Sequence, residues 1–223
     1  MGNLRRPERV HSTYLFPAIV GLLVAQPVLA SLSTAASALL GIALAAALVA
    51  GIWSLDGGRL WFRVALGLGG VVIAAFAGQA AFPGRNLVEP AMAAVVALGV
   101  ICVVLGIRWL FASIQITLES LLAALSVYLL IGITFGIVHT WLFIHEPSWY
   151  KGVSPGGRSA EIAELVYFSI GTLTTAAYGD ILPTHPLSRL LCNVEAVVGQ
   201  MYVAVLVATL VTGYAAGRGG PRR

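Results

Sequence analysis

Charge is what this chain has least of. Only 10% of its 223 residues are Asp, Glu, Lys or Arg, against about 25% in an ordinary soluble domain. In contrast, 59% are hydrophobic and the mean hydropathy is +0.92. That deficit excludes an ordinary cytosolic enzyme, a nucleic-acid-binding domain and a disordered chain. Cysteine is nearly absent. Cys102 and Cys192 both fall inside apolar runs, where a thiol reads as a small buried hydrophobe rather than half of a disulfide or metal pair. Nor is there a His-Glu-x-x-His string or a pair of acids within an apolar core, so an intramembrane enzyme lacks support. What the chain has instead is apolar runs long enough to cross a bilayer, whose roughly 30 Å core takes about 20 helical residues. The expected class is an all-α, polytopic membrane protein.

Six such segments are legible, at roughly 14–30, 36–55, 60–82, 89–112, 118–144 and 187–213. Turn chemistry separates them, for example Asp56-Gly57-Gly58 and Pro83-Gly84-Arg85-Asn86, with a longer polar stretch from His145 to Ser159. The first segment holds Pro17 and Pro27, follows Arg5, Arg6 and Arg9, and mimics a signal peptide; cleavage there is the alternative to a retained helix. With six crossings and the N-terminus inside, Arg5, Arg6, Arg9, Arg59, Arg63, Arg108, Arg218, Arg222 and Arg223 fall inside. Arg85, Lys151, Arg158 and Arg189 fall outside. The imbalance obeys the positive-inside rule and puts both termini in the cytoplasm, with the cell inner membrane as the expected location. No soluble domain is expected at either end, and no nucleic-acid or soluble partner. Small residues at helical spacing, such as Gly41 and Ala45, allow helices to pack closely.

Residues 160–186 break the pattern. They are too short and too polar to cross twice: about three helical turns (160–173), then a Thr/Ala/Gly run, then Pro183 and Pro186. Irregular backbone at membrane depth is tolerated only where protein buries it or where it lines an aqueous cavity, so this is read as a re-entrant pore loop. Its helix points a partially negative C-terminal end toward the bilayer centre, which favours a cation there, while Glu161 and Glu164 complement the other end.

Thr174-Thr175-Ala176-Ala177-Tyr178-Gly179-Asp180 resembles the potassium-channel signature Thr-Thr-Val-Gly-Tyr-Gly-Asp. Tyr167-Phe168-Ser169 precedes it. Ile181-Leu182-Pro183 and Val198-Gly199-Gln200-Met201-Tyr202 follow, with Tyr128-Leu129-Leu130-Ile131-Gly132 upstream. Over about 118–214 the chain is similar to bacterial potassium channels of the two-helix pore type, preceded by four extra helices. The resemblance implies a homotetramer in the lipid bilayer, with one loop per chain and backbone carbonyls around a permeant monovalent cation, potassium or sodium; no other cofactor is implied. It divides the chain into an N-terminus (1–13), a four-helix region (14–112), a pore domain (113–214) and a basic tail (215–223). Carried over by position, the filter is Thr175, Ala176, Ala177, Tyr178 and Gly179, with Asp180 at the outer mouth. Thr175 offers a carbonyl and a hydroxyl, and Tyr178 braces the filter. Gly199 is the inner-helix hinge, and Gln200, Val203, Val207 and Val211 line the pore.

Two filter positions depart from the signature. Ala176 loses the volume of valine. Ala177 replaces a glycine whose left-handed backbone costs an L-residue about 1–2 kcal/mol, roughly 4–8 kcal/mol for a ring of four. Either the surroundings hold a strained filter, or the loop takes another shape with fewer or wider ion sites; the second would weaken the discrimination between potassium and sodium. Glu195, deep in the last segment, is expected to brace the pore helix through Ser169 or Thr172. Arg63 and Arg108 snorkel at inner helix ends. His139, His145 and Glu146 read as exposed loop-edge residues rather than a metal site, and His185 lies near the mouth, where it is a candidate for pH sensitivity. The fourth segment holds only Arg108, too little for a voltage sensor. The main alternative to a conducting channel is a membrane subunit that keeps the pore scaffold without conducting.

Overall fold

The computed structural model describes residues 12–30, 34–54, 58–81, 87–112, 117–154 and 157–218. Seven helices run in order: α1 (Ser12–Ala30), α2 (Thr34–Ser54), α3 (Gly58–Ala81), α4 (Val88–Ala112), α5 (Leu118–His145), α6 (Arg158–Leu173) and α7 (Pro186–Arg218). The six longer helices follow the six apolar runs, and α6 falls in the stretch that breaks their pattern. Among the described residues, four stretches are long and apolar enough to cross a membrane: Arg59–Gln79, Val88–Leu110, Leu118–His145 and Pro186–Thr209. Helices α1 and α2 contribute shorter apolar stretches, Phe16–Gln26 and Gly41–Ile52. At 16 residues, α6 is only about 24 Å long, short of the roughly 30 Å core.

Helix α5 starts at a capping box. The Thr117 hydroxyl accepts from Ser120 N–H at 3.2 Å, and the Ser120 hydroxyl accepts from Thr117 N–H at 2.9 Å. The polar stretch after α5 holds a 3-10 turn (Pro147–Trp149) and a two-residue strand β1 (Tyr150–Lys151). This strand pairs antiparallel with β2 (Leu182–Pro183), with Tyr150 opposite Pro183 and Lys151 opposite Leu182. The small ladder ties the loop before α6 to the loop after the filter. Sequence reasoning did not anticipate it, because two-residue strands have no hydrophobic period to read.

One core runs through the helices. Ile19 of α1, Leu48 of α2, Val72 of α3, Leu98 of α4, Leu130 and Ile137 of α5 and Val166 of α6 belong to a single buried cluster. The boundary drawn at 112/113 is therefore a division of sequence and not of packing. The crossing of α5 and α6 is close because position 136 is glycine. A Cβ there would sit 2.8 Å from the Cα of Val166, and backbone cannot move aside cheaply.

Candidate functional site: the re-entrant loop and its supports

Helix α6 ends in a cap that the filter residues themselves supply. Thr175 N–H donates to Thr172 O at 3.0 Å and Ala176 N–H donates to Gly171 O at 2.8 Å. Thr174 is the C-cap at φ −82° and Thr175 follows at φ +59°. That is the Schellman pattern, whose left-handed position usually takes glycine. Here a β-branched threonine occupies it, a conformation such a side chain rarely accepts. Its hydroxyl donates back to Thr174 O at 2.7 Å. Ala177 N–H also reaches Gly171 O, at 3.2 Å, and Ala177 stands at φ +42°. Of the two alternatives for Ala177, its φ matches the first: alanine takes the left-handed backbone. Gly179, at φ +81°, does so without steric cost.

The last carbonyls of α6 are all used. Ile170 accepts from Thr174 N–H at 3.0 Å, and Gly171 and Thr172 accept as above. Leu173 accepts from the Tyr128 hydroxyl of α5 at 3.2 Å. The negative end of the helix therefore acts on a cation only through space. Leu173 is also where α7 comes closest. A Cβ on Gly199 would collide with the Leu173 carbonyl and sit 2.8 Å from Leu173 Cδ1. Gly199 is thus a close-packing position, and α7 passes through it as one unbroken helix. Three residues on, the Tyr202 ring stacks on Tyr128 with centroids 5.8 Å apart, and its hydroxyl donates to Ala124 O at 2.7 Å.

Tyr178 stacks on Tyr167 of α6, with centroids 5.5 Å apart and planes 9° from parallel. The Tyr167 hydroxyl donates to Asp180 Oδ2 at 2.9 Å, and Asp180 Oδ1 accepts from Ile181 N–H at 3.0 Å. Asp180 is thereby held in place while remaining exposed beside the loop.

Behind the loop lies a buried polar cluster. The Ser169 hydroxyl sits between two acceptors, the Gly132 carbonyl at 2.7 Å and the Glu195 carboxyl, which it contacts closely. His139 Nε2 lies 3.0 Å from the other Glu195 oxygen, and His139 Nδ1 lies 2.6 Å from the Tyr150 hydroxyl. Ser169, His139 and Glu195 have no exposed surface. Burial, and secondarily the nearby Cys192 and Glu195, pushes the Tyr150 phenol well above its ordinary range, so it stays a hydrogen-bond donor. The cluster joins α5, β1, α6 and α7. Among the described residues, no buried side-chain polar atom lacks a partner.

This overturns the reading of His139. It is not at a loop edge but fully buried, six residues before α5 ends and inside an apolar turn. The usable signal was that a polar ring inside such a run must find a partner, and Glu195 was the available one. The bracing of Glu195 goes through Ser169, while Thr172 turns its hydroxyl to Phe168 O at 3.0 Å. His145 and Glu146 are exposed as expected, with His145 Nε2 3.6 Å from Glu89. His185 stacks flat on Trp149, centroids 3.9 Å apart. Cys102 and Cys192 are buried and free. The string Gly152-Val153-Ser154-Pro155-Gly156 has Gly-x-Ser-x-Gly spacing. A nucleophile elbow needs a strand running into a helix, whereas Ser154 is exposed after a two-residue strand and its N–H donates to Glu164 Oε2 at 2.7 Å.

On α7, Val203, Val207 and Val211 are 39%, 52% and 62% exposed, and Gln200 is exposed beside them. At about 100° per residue these four share one stripe, and the stripe is turned away from the rest of its own chain. The opposite side of α7 carries Val198, Tyr202 and Val205, which border an apolar groove against α4 and α5.

Residues 123–214 match the family model for ion channels. The matched segment begins in α5 and ends in α7, and so contains most of both helices, all of α6, the loop that follows it and all four side chains of the buried cluster. No curated protein and no solved structure gives a significant match.

Proposed function

We propose that this chain is a channel for monovalent cations, related to potassium channels, that assembles as a homotetramer around the loop at 175–179. One observation carries the reading. Inside the segment that matches ion channels, a helix too short to cross the membrane ends in a loop whose backbone is left-handed at Ala177 and Gly179. Such backbone at membrane depth belongs beside a cavity or inside protein, and Thr175 to Asp180 are all exposed in the single chain. Four copies bring these residues to a common axis. The exposed stripe of Gln200, Val203, Val207 and Val211 then lines the passage below them. In this assembly α1 and α2 join the four longer spans to give six crossings, with both termini in the cytoplasm of the cell inner membrane.

Selectivity follows from the two alanines. Ala177 takes the required hand of backbone at a cost, and Ala176 supplies less packing than valine. The looser packing behind the loop at Ala176, not the hand of the backbone at Ala177, is what lets sodium compete with potassium in this reading. The test is flux of each ion, measured side by side in liposomes holding the purified protein. Both ions are expected to pass. Ala176→Val combined with Ala177→Gly is expected to raise the potassium-to-sodium ratio. Tetramers that pass neither ion would replace this reading with that of a non-conducting subunit.

A further inference from the structure

One hydroxyl behind the loop has more acceptors than hydrogens. Ser169 Oγ lies 2.7 Å from the Gly132 carbonyl and in close contact with Glu195 Oε1. A serine hydroxyl carries a single hydrogen, whereas a carbonyl and an ionised carboxylate only accept. With Glu195 ionised, one of these two contacts would be oxygen against oxygen with no hydrogen between them. A proton on Oε1 removes the conflict: Glu195 donates to Ser169, and Ser169 donates to Gly132.

The other side of the cluster gives an independent count. Among the described residues, the Tyr150 hydroxyl has one hydrogen-bond partner, His139 Nδ1 at 2.6 Å, and burial keeps the phenol protonated. Tyr150 therefore donates and Nδ1 accepts. The ring hydrogen then sits on Nε2, 3.0 Å from Glu195 Oε2, which makes Oε2 an acceptor. The two counts agree, because a carboxylic acid has one donating and one accepting oxygen. Four donors meet four acceptors in one directed run, from Tyr150 through His139, Glu195 and Ser169 to Gly132.

The rival arrangement moves the Glu195 proton to His139 Nδ1 and makes an ion pair. Nδ1–H would then take the Tyr150 oxygen as its acceptor, and the Tyr150 hydrogen would be buried without a partner, which is costly. The contact without a hydrogen at Ser169 would return. Neither charge would have any exposed surface, and both lie on apolar spans, where desolvation can exceed the attraction of the pair. Among the described residues no Arg or Lys pairs with Glu195. Cys192, the remaining titratable neighbour, is buried and brings no positive charge.

We infer that Glu195 is a neutral carboxylic acid whose proton ties α7 to Ser169 of α6, and that His139 is the positioning residue that decides which oxygen carries it. The loop is then backed by hydrogen bonds with no net charge, and a cation beside it meets no carboxylate from this side. That last consequence rests on the channel reading; the protonation state rests on the hydrogen count alone.

The test is infrared spectroscopy of the full-length protein in liposomes at neutral pH, where exposed carboxyls, ordinarily near about 4, are ionised. The wild type is expected to show the C=O stretch of a protonated carboxylic acid, and carbon-13 on the glutamate side-chain carboxyls is expected to move it. Glu195 is the one buried glutamate among the described residues, and Glu195→Gln is expected to abolish the band. His139→Phe takes the donor away from Oε2 and is expected to shift the band to higher frequency. A wild-type spectrum without the band, or a band that the label leaves in place, would overturn the inference, and neither outcome depends on a variant folding. So would a band that survives Glu195→Gln. A band unmoved in folded His139→Phe would remove His139 from its role. A protein that shows the band but passes no ions would sink the channel reading alone.

Discussion

At Ala177 the backbone stands at φ +42°, a conformation that costs an L-residue about 1–2 kcal/mol. Its N–H and that of Ala176 both bond to the Gly171 carbonyl, so the strain is held by the end of α6. Ala177→Gly removes the Cβ without touching those bonds. It is expected to stabilise each chain by about 1 kcal/mol, read as a higher melting temperature in detergent; an unchanged or lower value would show that alanine is not strained there. A second residue-scale expectation concerns Glu195. Its two oxygens serve His139 and Ser169. Glu195→Ala leaves His139 Nε2 unpaired, at about 1–3 kcal/mol, while the Ser169 hydroxyl keeps the Gly132 carbonyl. Glu195→Gln keeps an oxygen that can accept from His139 and adds an N–H that can donate to Ser169, so it should hold close to wild-type stability. Equal losses in the two variants would mean that the charge, not the bonding pattern, is what the site needs.

Helices α5, α6 and α7 meet at the Leu173 carbonyl. Tyr128 of α5 donates to it, and Gly199 of α7 lies against it. Because the obstacle to a larger residue is backbone, Gly199→Ala forces α7 away from the end of α6 instead of reorienting a side chain. The expected cost is about 1–3 kcal/mol, together with a shifted open–closed balance, while tetramers still form. The checks are thermal denaturation and single-channel recording, and wild-type values in both would reduce Gly199 to an ordinary helix position. The long helices were legible because each apolar run is long, and several runs are interrupted by turn residues such as Asp56-Gly57-Gly58 and Pro83-Gly84. The two-residue ladder between β1 and β2 was not, since pairing Tyr150 with Pro183 depends on α6 and the filter returning the chain to that place.

For the whole molecule, the unbroken core from Ile19 to Val166 packs the first four helices directly against α5 and α6. The exposed stripe on α7 is the surface that the proposed tetramer would bring together. Val207→Cys, at 52% exposure and on the stripe proposed to face the axis, is expected to form disulfide-linked dimers on oxidation in membranes, whereas Val71→Cys on α3 is not; the reverse pattern would refute the fourfold arrangement. The sequence by itself determined the apolar, membrane-spanning character of the long helices and their order around the shorter α6. Those properties follow from local composition and from residues adjacent along the chain. Only the tertiary structure decided that His139 is buried against Glu195, that Thr175 caps a helix, that Gly199 is a contact and that a groove separates α4 from α7. Each of these brings together groups far apart in the chain, or sets a backbone angle by hydrogen bonds, and no period in the sequence carries that information.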